Sequence, residues 1–194
     1  DLNEARMLCD KLVVLDQGDV LQEGPAFEVH RRPRNSRVAD LVGIQNRFYG
    51  AWMGPSEMPG LGVLQWTRSL DTQQATPENS IQLLTRDKGK IPPGFPVNWV
   101  VHADGLALKP QGYNLQREGF SLLPVHVVGH RDLGELSLID LSMDVAPCEV
   151  LKMAMSGAQR LGLKTGAPGV VEMDLGLIHI MPKKPHPELS RTHR

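Results

Sequence analysis

The chain has 194 residues, the length of one large or two small domains. Its 21 Lys and Arg stand against 22 Asp and Glu, a net charge of -1, which leaves no electrostatic case for nucleic acid or an anionic membrane as the main partner. No apolar run approaches the roughly 18–20 residues needed to cross a bilayer. Hydrophobic residues make up 41% and aromatics 5%, so a core is expected mostly from Leu, Val and Ile. The 19 Gly and 15 Pro exceed the usual background and favour short strands and turns over long helices. Cys9 and Cys148 form no ligand-spaced set and are expected to be reduced and buried in a soluble, cytoplasmic chain.

The first 42 residues read differently from the rest. Leu2, Ala5, Leu8, Cys9 and Leu12 share one helical stripe. A helix that begins at Asp1 with no Met and no cap before it implies missing upstream sequence. Leu12–Asp16 is a compact apolar strand, Gln17-Gly18 a tight turn, and Asp19–Gln22 a returning strand. Gly24-Pro25 opens a helix that runs through Val29 and stops near Pro33, since Pro at the first turn loses no hydrogen bond. A short helix over Ser36–Leu41 ends at Gly43. Residues 1–42 are too few for a domain and read as the tail of one.

From Gly43 the apolar pattern takes a period of two. Strands are predicted over Arg47–Trp52, Gly62–Thr67, Ser80–Thr85 and Pro96–Val101, separated by Gly/Pro/polar loops. A polar linker covers 109–120, and a second strand set follows over Leu122–Val128, Glu135–Leu141, Glu149–Ala154, Gly169–Asp174 and Leu177–Met181. Halves 43–108 and 121–182 have similar strand counts, which points to a duplicated β unit. The tail 183–194 is expected to be disordered.

Asp1-Leu2-x-Glu4-Ala5-x-x-Leu8-x-Asp10-Lys11-Leu12-x-Val14-Leu15-x-x-Gly18-x-x-x-Gln22-x-Gly24 resembles the end of the nucleotide-binding domain of ABC importers. Pro25-x-x-Glu28-Val29 and Pro33-Arg34-Asn35-Ser36-x-Val38-Ala39-x-Leu41-Val42-Gly43 continue the resemblance into an accessory β domain. It implies a parent subunit that binds ATP and Mg, pairs with a second ATPase copy and with membrane-spanning permease subunits, and works at the inner face of the plasma membrane. The family's switch histidine would precede Asp1. A phosphate loop needs Gly-x-x-x-x-Gly-Lys-Ser/Thr, and Gly162-Leu163-Lys164-Thr165-Gly166 has Leu163 where the second Gly belongs. These residues are therefore expected to have no catalytic site, no cofactor and no ATP hydrolysis of their own.

Gly43-Ile44-Gln45-Asn46-Arg47-Phe48-x-Gly50, Met155–Gly166 and Ile178–Pro182 resemble the TOBE fold, related to small molybdate-binding proteins. The expected fold is mainly β: a small α/β remnant of a nucleotide-binding domain, then a duplicated OB-like (TOBE) barrel. The solute implied is an inorganic oxyanion such as molybdate or sulfate. Ser156 and Gly157 would offer donors to an oxyanion, with Lys164 near them and Asn46 and Arg47 facing from the first strand. The plainer reading of Ser156 is an ordinary helix cap. Gly43-Ile44-Gln45-Asn46 departs from the family's Ser-Ala-Arg-Asn, and Asp174 stands where the family has Lys, so weak or no molybdate binding is expected. A free-standing oxyanion-binding or storage protein is the alternative. His126 and His130 lie about 13 Å apart if both are in a strand, too far to share a metal ion. His179 is expected to be a packed histidine with one hydrogen bond, and Trp52, Trp66 and Trp99 to be core residues.

Overall fold

A computed structural model describes residues 8–67, 80–145, 148–156 and 163–182. The first unit is a hairpin, β1 (Lys11–Asp16) and β2 (Asp19–Pro25), followed by α1 (Ala26–Arg31) and α2 (Ser36–Leu41). Gln17 and Gly18 both have positive φ, 51° and 91°, the backbone a two-residue hairpin turn requires. Asn35 caps α2 by accepting from the Val38 N–H at 2.9 Å, and Gly43 (φ 73°) ends it in the left-handed conformation. The predicted opening helix lies mostly in residues 1–7, outside the described residues, and by Lys11 the chain is already a strand.

Ten further strands follow: β3 (Arg47–Pro55), β4 (Leu61–Thr67), β5 (Ser80–Arg86), β6 (Phe95–Val101), β7 (Leu106–Pro110), β8 (Phe120–Asp132), β9 (Leu136–Met143), β10 (Val150–Ser156), β11 (Pro168–Asp174) and β12 (Ile178–Pro182). Two five-stranded antiparallel sheets result, ordered β12-β6-β3-β4-β5 and β10-β9-β8-β11-β7. The duplication is visible in that order. β3-β4-β5 and β8-β9-β10 are matching meanders, with β6 beside β3 and β11 beside β8. Each half then passes its fifth strand to the other's sheet. β7 pairs with β11, and β12 pairs with β6, each entered through a 3-10 turn (Ala103–Gly105 and Leu175–Leu177). β7 was not among the predicted strands, and it takes in Lys109 and Pro110 of the expected linker.

The exchange gives both sheets one continuous apolar core. Trp52, Leu64, Trp66, Leu83 and Trp99 of the first sheet join Leu123, Ile139, Leu141, Leu151 and Met173 of the second. The three tryptophans are fully buried as expected. Trp66 and Trp99 meet edge to face at 4.7 Å, a favoured aromatic geometry, and Trp99 Nε1 donates to the Tyr49 carbonyl at 3.1 Å. A second cluster joins Val14, Val29, Val38, Ala39 and Val42 of the first unit to Val100 and Met181 on the outer face of β6 and β12. Arg31 pairs with Asp104 at 2.8 Å across the same boundary. On the corresponding face of β11, buried Glu172 pairs with Lys109 at 3.3 Å and Arg117 at 3.6 Å, and accepts from the Tyr113 hydroxyl. These contacts fasten the connection 111–119 over the second sheet.

Both cysteines are free and exposed, which corrects the expectation of burial. Cys148 sits in the turn between β9 and β10 with φ 57°. The tail 183–194 lies outside the described residues.

Candidate functional site

Among the described residues, two of the expected anion donors, Asn46 and Arg47, are engaged with other parts of the chain. Asn46 is buried at the start of β3, and its side-chain amide grips β10: Nδ2 donates to the Lys152 carbonyl and Oδ1 accepts the Lys152 N–H, each at 2.7 Å. Both ends of that amide are used in tying one half to the other. Arg47 points to the first unit, paired with Asp40. Its charge, acting through that hydrogen bond, holds the Asp40 carboxyl below its ordinary range. Ser156 ends β10 opposite Leu136, four residues from Lys152, which is about 13 Å along a strand. Gly157 lies outside the described residues. Lys164 is exposed on the approach to β11, its carbonyl accepting from the Ala167 N–H in a turn. Asp174 accepts from the Gly176 N–H at 2.8 Å and so caps the second 3-10 turn. Leu163 packs against the main core, and Gly162 lies outside the described residues.

A different constellation surrounds Asn46. A cleft of about 670 Å³ opens between the first unit and both sheets. Its walls come from His30 of α1, Gly43–Asn46, His102 and Ala103 after β6, Gly129–Arg131 of β8, Leu138 and Asp140 of β9, and Lys152–Ala154 of β10. A β-bulge between Val127 and Gly129 shifts the register of β8, and the bulge carries His130 and Arg131 onto the cleft wall. Lys152 and Asp140 are cross-strand partners, and Gly129 stands opposite Asp140 on the other side. The rings of His30 and His102 meet at 4.7 Å, joining the first unit to the turn after β6. Among the described residues that line the cleft, Arg131 and Lys152 are two full cations against the single carboxylate of Asp140. A small anion held by charge-assisted hydrogen bonds is the ligand this wall suits. No group of His, Cys, Asp and Glu able to hold a metal occurs among the described residues.

Arg131 and Lys152 were not singled out from sequence. Each reads as an ordinary solvent-facing strand residue, and the one available signal was Gly129 breaking the alternation of β8. His126 and His130 stand on opposite sides of that bulge, and His126 pairs with Asp144 at 2.5 Å. His179 is the packed histidine expected: its Nε2 meets the Pro33 carbonyl at 3.0 Å. Burial, reinforced by the charge of Lys88, lowers its pKa to about 4.

No protein-family model matches the chain. Short stretches are similar to ATP-binding subunits of ABC importers. One is the spermidine/putrescine import ATP-binding protein PotA of Trichormus variabilis, 42% identical over 50 residues, 26% of this chain and 13% of that protein. Another is the sulfate/thiosulfate import protein CysA 2 of Agrobacterium fabrum, 37% identical over 65 residues, 30% of this chain and 19% of that protein. The Fe(3+) ions import protein FbpC 2 of Rhizobium meliloti is 40% identical over 48 residues, 25% of this chain and 12% of that protein. The chain thus spans less than a fifth of the length of these curated relatives. Among solved structures, the cytoplasmic molybdate-binding protein ModG, in a form with molybdate bound, aligns with a TM-score of 0.55 at 15% identity. The alignment covers 73% of this chain and 98% of that one. At that identity the likeness is one of fold: mainly β, with curled sheets of the OB-like kind. No helix among the described residues is long and apolar enough to cross a membrane.

Proposed function

We propose that this chain is the C-terminal regulatory portion of an ABC importer's ATP-binding subunit, and that its importer moves an inorganic oxyanion such as molybdate or sulfate. ATP and Mg would be held by other parts of a longer subunit, which works with a second ATPase copy and with permease subunits at the inner face of the plasma membrane. The stretches similar to importer subunits support the first part. They leave the solute open, because those relatives are named for polyamines, sulfate or iron. The cleft carries the second part. Arg131 and Lys152 exceed Asp140 in charge, and the cleft touches the first unit and both sheets at once. An anion there would contact Gly43–Asn46, whose Ile44 is packed in the first unit's core and whose Asn46 is clamped to β10.

A free-standing oxyanion-binding protein is the second reading, favoured by an alignment that takes in nearly all of ModG. The sequence encoded upstream of Asp1 separates the two. A Gly-x-x-x-x-Gly-Lys-Ser/Thr loop in the same reading frame is expected; a start codon with no such loop before Asp1 would refute the importer reading.

A further inference from the structure

Duplication gives the strand residues of the cleft counterparts in the other half, and the pairing registers fix which residues correspond. In β3 the bulge falls between Trp52, opposite Leu64, and Gly54, opposite Val63. In β8 it falls between Val127, opposite Leu141, and Gly129, opposite Asp140. Gly129 therefore corresponds to Gly54, Arg131 to Ser56, and Asp140 to Val63. One strand further on, Lys152 lies opposite Asp140 and Leu84 lies opposite Val63, so Lys152 corresponds to Leu84. The exchanged strands extend the match: Val101 is opposite Ile178 as Met173 is opposite Leu106, which sets His102 against Asp174.

The two positions differ in chemistry. Where the cleft has Arg131 and Lys152, its counterpart has a hydroxyl and an isobutyl group. Where the cleft has an imidazole, the counterpart has the carboxylate of Asp174. Arg86 stands against Ala154, and Lys88 lies within reach of its charge. The counterpart is also filled. A Cβ built on Gly54 would lie 3.1 Å from the Pro93 ring, whereas one on Gly129 would meet nothing closer than Asp140 Oδ2 at 3.7 Å.

We infer that the duplicated domain takes one small anion per chain, at Arg131 and Lys152, and that its second, symmetry-related position is closed to anions. This rests on the reading of the cleft as an anion-binding site. The test is calorimetric titration of the whole chain with molybdate and with sulfate, in low-salt buffer, up to several millimolar anion. One site per chain is expected. The paired change Arg131→Ser and Lys152→Leu, which installs the other half's residues, should weaken binding at least tenfold. Both side chains are exposed, and an unchanged thermal melt of the variant confirms that it folds. Two sites per chain would overturn the inference and leave the anion-binding reading of the cleft standing, whereas one site whose affinity survives the paired change would overturn both. No binding of either anion by the unaltered chain would overturn the anion-binding reading of the cleft and the inference with it.

Discussion

His179 links the stability of the joint between the first unit and the sheets to pH. It lies on β12, pairs across the sheet with Val100, and donates from Nε2 to Pro33 of the first unit. The neutral ring is favoured there, because burial and the nearby Lys88 charge lower its pKa from 6.5 to about 4. In the unfolded chain the ring takes up a proton near pH 6.5, and in the folded chain not until about pH 4. Between those values the unfolded state binds more protons, so stability falls as pH falls, and below about pH 4 this contribution levels off. The linkage relation puts the loss between pH 7.5 and 5 at about 2 kcal/mol. For a chain of this length that is roughly 4–8 °C in melting temperature. The check is a series of thermal melts from pH 7.5 to 4.5 on the native chain and on His179→Gln, which retains an N–H donor but cannot titrate. The native chain should lose stability more steeply, with the difference confined to the interval between pH 6.5 and 4. The paired carboxyls of Asp16 and Asp40 contribute in a separate, more acidic window, because Arg37 and Arg47 lower their pKa values. Equal pH slopes for the two proteins would refute the reasoning.

Asn46→Ala removes both bonds to Lys152 and should destabilise by about 2–4 kcal/mol, since two backbone groups lose their partners; chemical denaturation measures it. Gly62→Ala would place a Cβ 2.2 Å from the Trp52 ring, and it should cost more than about 2 kcal/mol or prevent expression of folded protein. A chain beginning at Gly43 should still melt cooperatively but at lower temperature, because Val100 and Met181 lose their cover, about 3 kcal/mol by transfer alone. In that shortened chain the His179 pH effect should shrink, because burial is the main cause of the lowered pKa and the ring loses the cover of the first unit. The purified chain should show no magnesium-dependent ATP hydrolysis, and turnover that co-purifies through several columns would contradict that.

The local structure was legible because it is written in short-range chemistry. Gln17-Gly18, Asn35 and Gly43 mark the hairpin and the ends of α2 by backbone requirements that few other residues meet. Period-two alternation located β3 to β6 and β8 to β12 within a few residues. What alternation cannot specify is the partner. Nothing in Ile178–Pro182 says that it pairs with β6, almost eighty residues earlier, instead of closing its own sheet. β7 escaped notice for a related reason. Leu106–Pro110 has one buried residue and ends in Lys-Pro, so it carries little pattern, and its place is set by β11.

The site was less legible than the fold, and Asn46 shows why. A buried side-chain amide at the start of a strand can serve a ligand or a neighbouring backbone with the same donor and acceptor, and sequence does not distinguish them. Here both groups meet Lys152 at 2.7 Å, which leaves the amide committed to β10. The same contact places the Lys152 backbone beside Gly43–Asn46, and so brings its residue to the cleft wall. Arg131 arrives by a second non-local route, the bulge that offsets β8 from β9. The cations of the cleft are thus assembled by the clamp and the bulge, neither of which is a motif in the linear chain. A residue expected to bind the ligand instead builds the wall that would bind it.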